Sequence, residues 1–335
     1  MTSENWGLLG HEWAVEMLKQ HLVRNSVRHA YLFCGSPGLG RRTLALRFAQ
    51  ALNCLNPPVP GEPCGTCKTC QQIERMQYPD LTVIQADKEG GSLKVELIRE
   101  LRQSLSLKPY QGSFRVALLL RFQEATVGAA NALLKTLEEA PAHAVLLLTA
   151  DTPEQLPPTI PSRCEILRLR SLPVERVELY LKENGAEGAK AHLLAHLSGG
   201  RPGYALRLMQ DQEALEFRSR RLAEIQKLLK STRRERFAYA EKLTEKKYQE
   251  RERLHETLLL WLAFWRDVLM QVAGSDAPLV NVDYRSEIEA MASRLSLPAA
   301  RQLVNTAEGA VEWLEKNVNA RLLAENLLLD WPKIA

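Results

Sequence analysis

The hydrophobic rhythm of the chain changes near residue 170. Before it, short apolar runs bounded by polar, Gly or Pro residues stand at HAYLFC (29–34), DLTVIQA (80–86), FRVALLL (114–120), AVLLLTA (144–150) and CEILRL (164–169). Unbroken runs of this length are what strands covered on both faces require. Between them, apolar residues at three and four spacing predict helices over 41–53, 64–77, 93–106 and 127–139. The last must stop before Pro141, because proline disfavours helical backbone in the residue preceding it. Strands and helices in alternation predict an α/β domain with a mainly parallel sheet over 1–169.

Beyond residue 170 the strand signal fades. SLPVERVELYLKENG, AKAHLLAHLSGG and PGYALRLMQ predict a small helical domain over 170–212, its second helix stopped at Gly199-Gly200. From 213 to 335, helical spacing persists through LHETLLLWLAFWRDVLMQVA and AARQLVNTAEGAVEWLEKN, interrupted by a substantial loop at 274–283. That predicts an all-helical third domain, in which Trp261, Phe264 and Trp265 form core or subunit interface rather than a base-stacking platform.

Composition narrows the classes. The 335 residues suit two or three domains. Lys and Arg total 44 against 40 Asp and Glu, a net charge of +4, which excludes a dedicated nucleic-acid-coating protein. Residues 218–253 hold thirteen Lys/Arg and six Asp/Glu; this is a solvated helix face with i,i+4 pairs or a DNA-facing patch. There is no apolar run of roughly 18 residues, and MTSENWGLLGHEW lacks a signal peptide's basic cluster and apolar core, so a cytoplasmic protein without membrane contact is expected.

Four of the six cysteines follow Cys54-x9-Cys64-x2-Cys67-x2-Cys70. Four thiolates complete a closed tetrahedral zinc site, and closed sites are structural; an iron–sulfur cluster is the competing occupant. Cys34 and Cys164 sit in apolar runs and read as small buried hydrophobes.

GSPGLGRRT (35–43) follows a strand and opens a helix, the setting of a phosphate-binding loop. Gly35, Gly38 and Gly40 suit backbone that cradles an anion. Yet Arg41 takes the place of the phosphate-bridging lysine and Arg42 that of the metal-holding hydroxyl, while Thr43 is displaced by about 100° around the helix. The magnesium-holding acid expected at the end of the neighbouring strand is Leu120, and Glu124 comes several residues too late. These defects oppose hydrolysis. Ser162-Arg163-Cys164 follows PPTIP; Arg163 is either locally paired, with Asp151 or Glu165, or an arginine finger acting on a neighbour's nucleotide.

Taken in order, the glycine loop, the cysteine cluster, NALLKTLEEAP (131–141), the strand through Thr149 and PSRC resemble the AAA+ clamp-loader subunits of bacterial DNA polymerase III. YPDL (78–81) and NVNARLLAENLLL (317–329) extend the resemblance over nearly the whole chain. It implies an AAA+ P-loop-type domain with a zinc-binding insertion at 54–78, a helical lid and an all-α collar that oligomerises. It also implies that Arg163 acts in trans, that ATP binds only at the interface with the neighbouring subunit, and that zinc is structural. Implied partners are the gamma/tau and delta subunits, with the sliding clamp and primer–template DNA reached through the complex. Within that family, Arg41, Arg42 and Leu120 point to a subunit that does not hydrolyse ATP. A hydrolysing gamma/tau-like chain using Arg41 as its lysine, and an independent zinc-bearing DNA-binding module, are the competing expectations.

Overall fold

The computed structural model describes residues 5–244, 249–316 and 318–333, which form two compact units. The first comprises the chain through Leu172 together with Arg201–Tyr204. Its elements are α1 (Glu12–Val23), β1 (Ala30–Cys34), α2 (Arg41–Asn53), α3 (Lys68–Glu74), β2 (Leu81–Ile84), α4 (Val95–Ser106), β3 (Arg115–Leu119), α5 (Val127–Glu138), β4 (Ala144–Ala150) and β5 (Glu165–Arg168). The strands form one sheet in the order β2-β3-β4-β1-β5, parallel throughout.

Strand alternation divides the buried side chains into two layers. Tyr31, Phe33, Val116, Leu118, Val145 and Leu147 face α1, α2 and α3, packing with Leu18, Leu44, Phe48 and Ile73. Leu32, Ala117, Leu119, Leu146 and Leu148 face the other way, onto Ile98 and Leu101 of α4 and Leu133 and Leu137 of α5. The expected doubly covered sheet is therefore present. Two elements depart from expectation. The helix expected over 64–77 starts only at Lys68, because Cys64–Cys67 fold into a knuckle. Helix α1 carries no start signal, since His11 precedes it in a left-handed conformation without a side-chain cap.

Asp80 of the YPDL segment is buried, and its carboxylate accepts from the N–H groups of Tyr110, Gln111 and Gly112 at 2.7–3.0 Å. Burial pushes its pKa up, but these donors, aided by Arg115, outweigh that and hold it below the usual carboxylate value.

The second unit comprises Pro173–Gly200 and the chain from Ala205. It contains α6 (Val174–Glu183), α7 (Gly188–Ser198), most of α8 (Pro202–Gln210), then α9 (Gln212–Lys230), α10 (Arg233–Leu243), α11 (Gln249–Val272), α12 (Arg285–Ala292), α13 (Leu297–Glu315) and α14 (Ala320–Leu329). Trp261, Phe264 and Trp265 are fully buried on α11, and Trp331 meets Trp261 and Trp265 edge-on at 4.9 and 5.4 Å between ring centres. They are core; the subunit-interface alternative fails because no face of these rings remains to offer.

The basic segment is partly structural. Arg236 is buried and donates to the carbonyls of Leu228, Leu328, Trp331 and Pro332, satisfying the C-terminal ends of α9 and α14. Arg218 forks onto Asp283 and Asn281. Lys246 and Lys247 lie outside the described residues, as does Asn317 at the head of NVNARLLAENLLL. Among the described residues, no helix is long and apolar enough to cross a membrane.

Candidate functional site

The strand order reverses between β1 and β4, and in an open parallel sheet such a switch leaves a crevice outside the carboxyl ends of the strands. The loop from β1 to α2 sits there, carrying Gly35, Gly38, Gly40, Arg41 and Arg42. Two of its N–H groups are already bonded within the chain. The Gly35 N–H donates to the Asp151 carbonyl at 2.9 Å and the Leu39 N–H to that of Ser36 at 3.3 Å. The Gly38 carbonyl accepts from the Gly203 N–H at 2.9 Å. Gly38 has φ +90°, and a Cβ there would lie 2.8 Å from the Tyr204 nitrogen, so the 201–204 segment closes onto a backbone only glycine can provide.

The two arginines diverge. Arg41 is buried, its Nη1 2.6 Å from Asp151 Oδ1. Arg42 is exposed and donates to Met76 Sδ at 3.4 Å. Thr43 is exposed as well. At the end of β3, Leu120 is buried with its N–H on the Ile84 carbonyl. Glu124 pairs with Arg121 at 2.8 Å and accepts from the Gly90 N–H at 2.8 Å, turned to its own loop. Thr149, on β4, accepts at its hydroxyl from the Arg121 N–H. Leu120 thus offers no carboxylate for magnesium, and Glu124 has its Oε1 taken up by Arg121 and Gly90.

Arg163 occupies a short turn over Pro161–Arg163, between Ile160, which is fully buried, and β5. Its Nη1 donates to the Thr159 carbonyl at 3.1 Å and Ser162 Oγ at 3.4 Å, and its Nη2 to Glu138 Oε1 at 2.7 Å. The local partners expected from sequence are engaged elsewhere: Asp151 with Arg41, and Glu165 with Arg28 at 3.9 Å. Sequence reasoning missed Glu138 as the partner. One signal was available: Glu138 ends α5, and a carboxylate at a helix C-terminus opposes the macrodipole unless a cation covers it.

Cys54, Cys64, Cys67 and Cys70 converge, their sulfurs all within 4.8 Å of one another, with Cys64 and Cys70 4.0 Å apart. A tetrahedral zinc with Zn–S bonds near 2.3 Å needs sulfurs about 3.8 Å apart, so this set fits a single ion. The N–H groups of Cys64, Cys67 and Cys70 point at the sulfurs of Cys54, Cys64 and Cys67 at 3.3–3.4 Å. Such donors favour thiolates. Burial pushes the Cys64 thiol up, but N–H donors from Cys67 and Thr66 outweigh it and bring it down to about 6. Burial raises Cys54 and Cys70. Cys34 is pushed up to about 11 and Cys164 to about 12, chiefly by burial, consistent with inert packing thiols.

Comparisons with known proteins meet this geometry. A family model described as DNA polymerase III, delta subunit, matches residues 10–173, and one described as DNA polymerase III, delta subunit, C terminal, matches 212–333. The chain is 28% identical over 315 residues to DNA polymerase III subunit delta' of Bacillus subtilis, covering 94% of each. It is 37% identical over 223 residues to the delta' of Pseudomonas aeruginosa, covering 65% of this chain and 66% of that one. The tau subunit of Salmonella typhimurium is 37% identical over 185 residues, 55% of this chain and 28% of tau. Among solved structures, a gamma subunit-related protein of Thermotoga maritima has the same fold, with a TM-score of 0.50 at 18% identity, covering 94% of this chain and 97% of that one.

The parallel sheet in this strand order, with a glycine loop at its switch point and a helical region after it, is an AAA+ fold. Within that fold class, the chain belongs to the DNA polymerase III delta' family.

Proposed function

We propose that this chain is the non-hydrolysing AAA+ subunit of a clamp loader. It lends Arg163 to the ATP of a neighbouring gamma/tau subunit and thereby helps place a sliding clamp on primed DNA in the cytoplasm. The observation that carries the reading is the 2.6 Å pair between Arg41 and Asp151. The side chain at the lysine position is committed to a carboxylate of its own chain, so it is not available to bridge phosphates. Leu120 in the acid's place supports the same conclusion.

Arg163 is paired within its own chain too, with Glu138, but unlike Arg41 it remains accessible. Its side chain keeps 36% of its accessible surface, and its backbone is restrained by Pro157, Pro158 and Pro161. A guanidinium brought to a neighbour's γ-phosphate compensates the charge that spreads over the transferred group. A member that supplies this arginine without a working phosphate site of its own can end an arc of AAA+ subunits, and the missing closure leaves a gap for DNA. In this reading the four-cysteine knuckle holds one structural zinc. The chain divides into the AAA+ domain (1–169), lid (170–212) and collar (213–335), and gamma/tau and delta are its partners.

Equilibrium binding of labelled ATP to the isolated chain tests the proposal. It predicts no saturable binding and no turnover, including in Arg41→Lys, which still lacks the magnesium ligands. Stoichiometric ATP binding with turnover would instead identify a hydrolysing gamma/tau-like subunit.

A further inference from the structure

Glu138 and Arg163 are 25 residues apart, on different elements, and meet at 2.7 Å. Both are accessible, with 52% and 36% of their side chains exposed, and pairs of this kind contribute little to stability. Glu138 also ends α5 with Glu139 beside it, where the negative end of the helix dipole disfavours carboxylates. The pair is therefore poorly explained as a stabilising device.

It does fix direction. Thr159 and Ser162 hold Nη1 from the turn, while Glu138 holds Nη2 from α5. Contacts from two separate elements determine the plane of the guanidinium, which contacts from one element would leave free to swing. Ile160 and the three surrounding prolines restrain the backbone, so the side-chain torsions are the main remaining freedom, and the contact with Glu138 biases them. Catalysis by a charged finger depends on that aim, because loss of alignment costs rate without necessarily changing affinity.

We propose that Glu138 is the positioning residue of Arg163, aligning its guanidinium for the terminal phosphate of a nucleotide bound on the neighbouring subunit. The inference rests on the reading of Arg163 as a trans-acting finger. Full-length chain is reconstituted with its gamma/tau and delta partners as wild type, Glu138→Ala, Glu138→Gln, Arg163→Ala and the double variant Glu138→Ala/Arg163→Ala. Clamp- and DNA-stimulated ATP hydrolysis is then measured as kcat and KM.

Glu138→Ala is expected to lower kcat by about 2-fold, less than Arg163→Ala does, with KM for ATP unchanged. The double variant should be no slower than Arg163→Ala, and Glu138→Gln, which keeps an acceptor oxygen, should recover part of the rate. If Glu138→Ala impairs assembly, the isosteric Glu138→Gln carries the comparison, with a smaller drop in kcat expected at full assembly. A slow Arg163→Ala beside a glutamate variant at wild-type rate overturns the positioning role alone. That role is also overturned if the Glu138→Ala loss recurs undiminished on the Arg163→Ala background. If Arg163→Ala itself runs at the wild-type rate, the finger reading fails, and the positioning role with it.

Discussion

At the scale of residues, the same guanidinium stands in two different settings. Arg41 is enclosed beside Asp151, where removing the carboxylate would leave a poorly solvated charge, whereas Arg163 stands partly in solvent on a proline-bound turn. Asp80 is the clearest case of a carboxylate used for structure, since three backbone N–H groups converge on it. Asp80→Asn should destabilise the first unit by about 1–3 kcal/mol at neutral pH, because hydrogen bonds to a charged acceptor are lost or weakened. The pH dependence follows from its lowered pKa. Its contribution is complete above the unfolded value of roughly 3.9 and is lost as pH falls through the lower folded value. Thermal midpoints of wild type and variant should therefore differ by a constant amount from about pH 5 to 8 and converge in stronger acid. A gap that persists undiminished at the lowest pH would assign the effect to packing instead.

At the scale of elements, the cysteine knuckle and helix α3 form one device. Cys67 precedes α3 and its sulfur accepts from the Cys70 N–H, so the turn that starts the helix carries two of the four sulfurs that could hold a metal ion. The protein should carry one zinc per chain by elemental analysis, and Cys67→Ser should lose most of it. Chelation should raise amide exchange within residues 54–78 and leave the sheet protected, since metal binding energy here is local folding energy. Zinc-free protein that was never exposed to a chelator would refute the assignment. Legibility in sequence followed the same division. Helix α2 and strand β4 begin and end where the pattern put them, because periodicity and flanking Gly or Pro act locally. Helix α1 lacked a capping side chain and left no such mark. The cysteine spacing announced its site, but the partners Asp151 and Glu138 lie 110 and 25 residues from Arg41 and Arg163, and only the folded sheet brings them together.

At the scale of the molecule, the second unit separates core from candidate interface. Trp265 is buried against Phe264 and Trp331, whereas Trp313 on α13 keeps 51% of its surface and Leu322 on α14 keeps 58%. Trp265→Ala should cost about 3–5 kcal/mol of stability, as expected for removing a large core side chain. Trp313→Ala should shift stability by no more than about 0.5 kcal/mol. It should nevertheless weaken incorporation into the complex, measured by co-elution with gamma/tau and delta, if the collar surface lies there. Unchanged co-elution would move the interface elsewhere. A trans-acting arginine shows itself only in the assembled machine, so the decisive measurement is clamp- and DNA-stimulated ATP hydrolysis by the complex reconstituted with Arg163→Ala. Fingers of this kind are worth about 10³ to 10⁵ in rate at a single site, and because other sites in the assembly keep their own, the whole-complex loss is smaller. The expected result is a several-fold loss of turnover with zinc content, thermal midpoint and assembly unchanged, and poor rescue by Arg163→Lys, whose ammonium lacks the planar fork. Wild-type turnover in Arg163→Ala, accompanied by a lowered thermal midpoint, would rule out the finger and leave Arg163 as a local structural pair with Glu138.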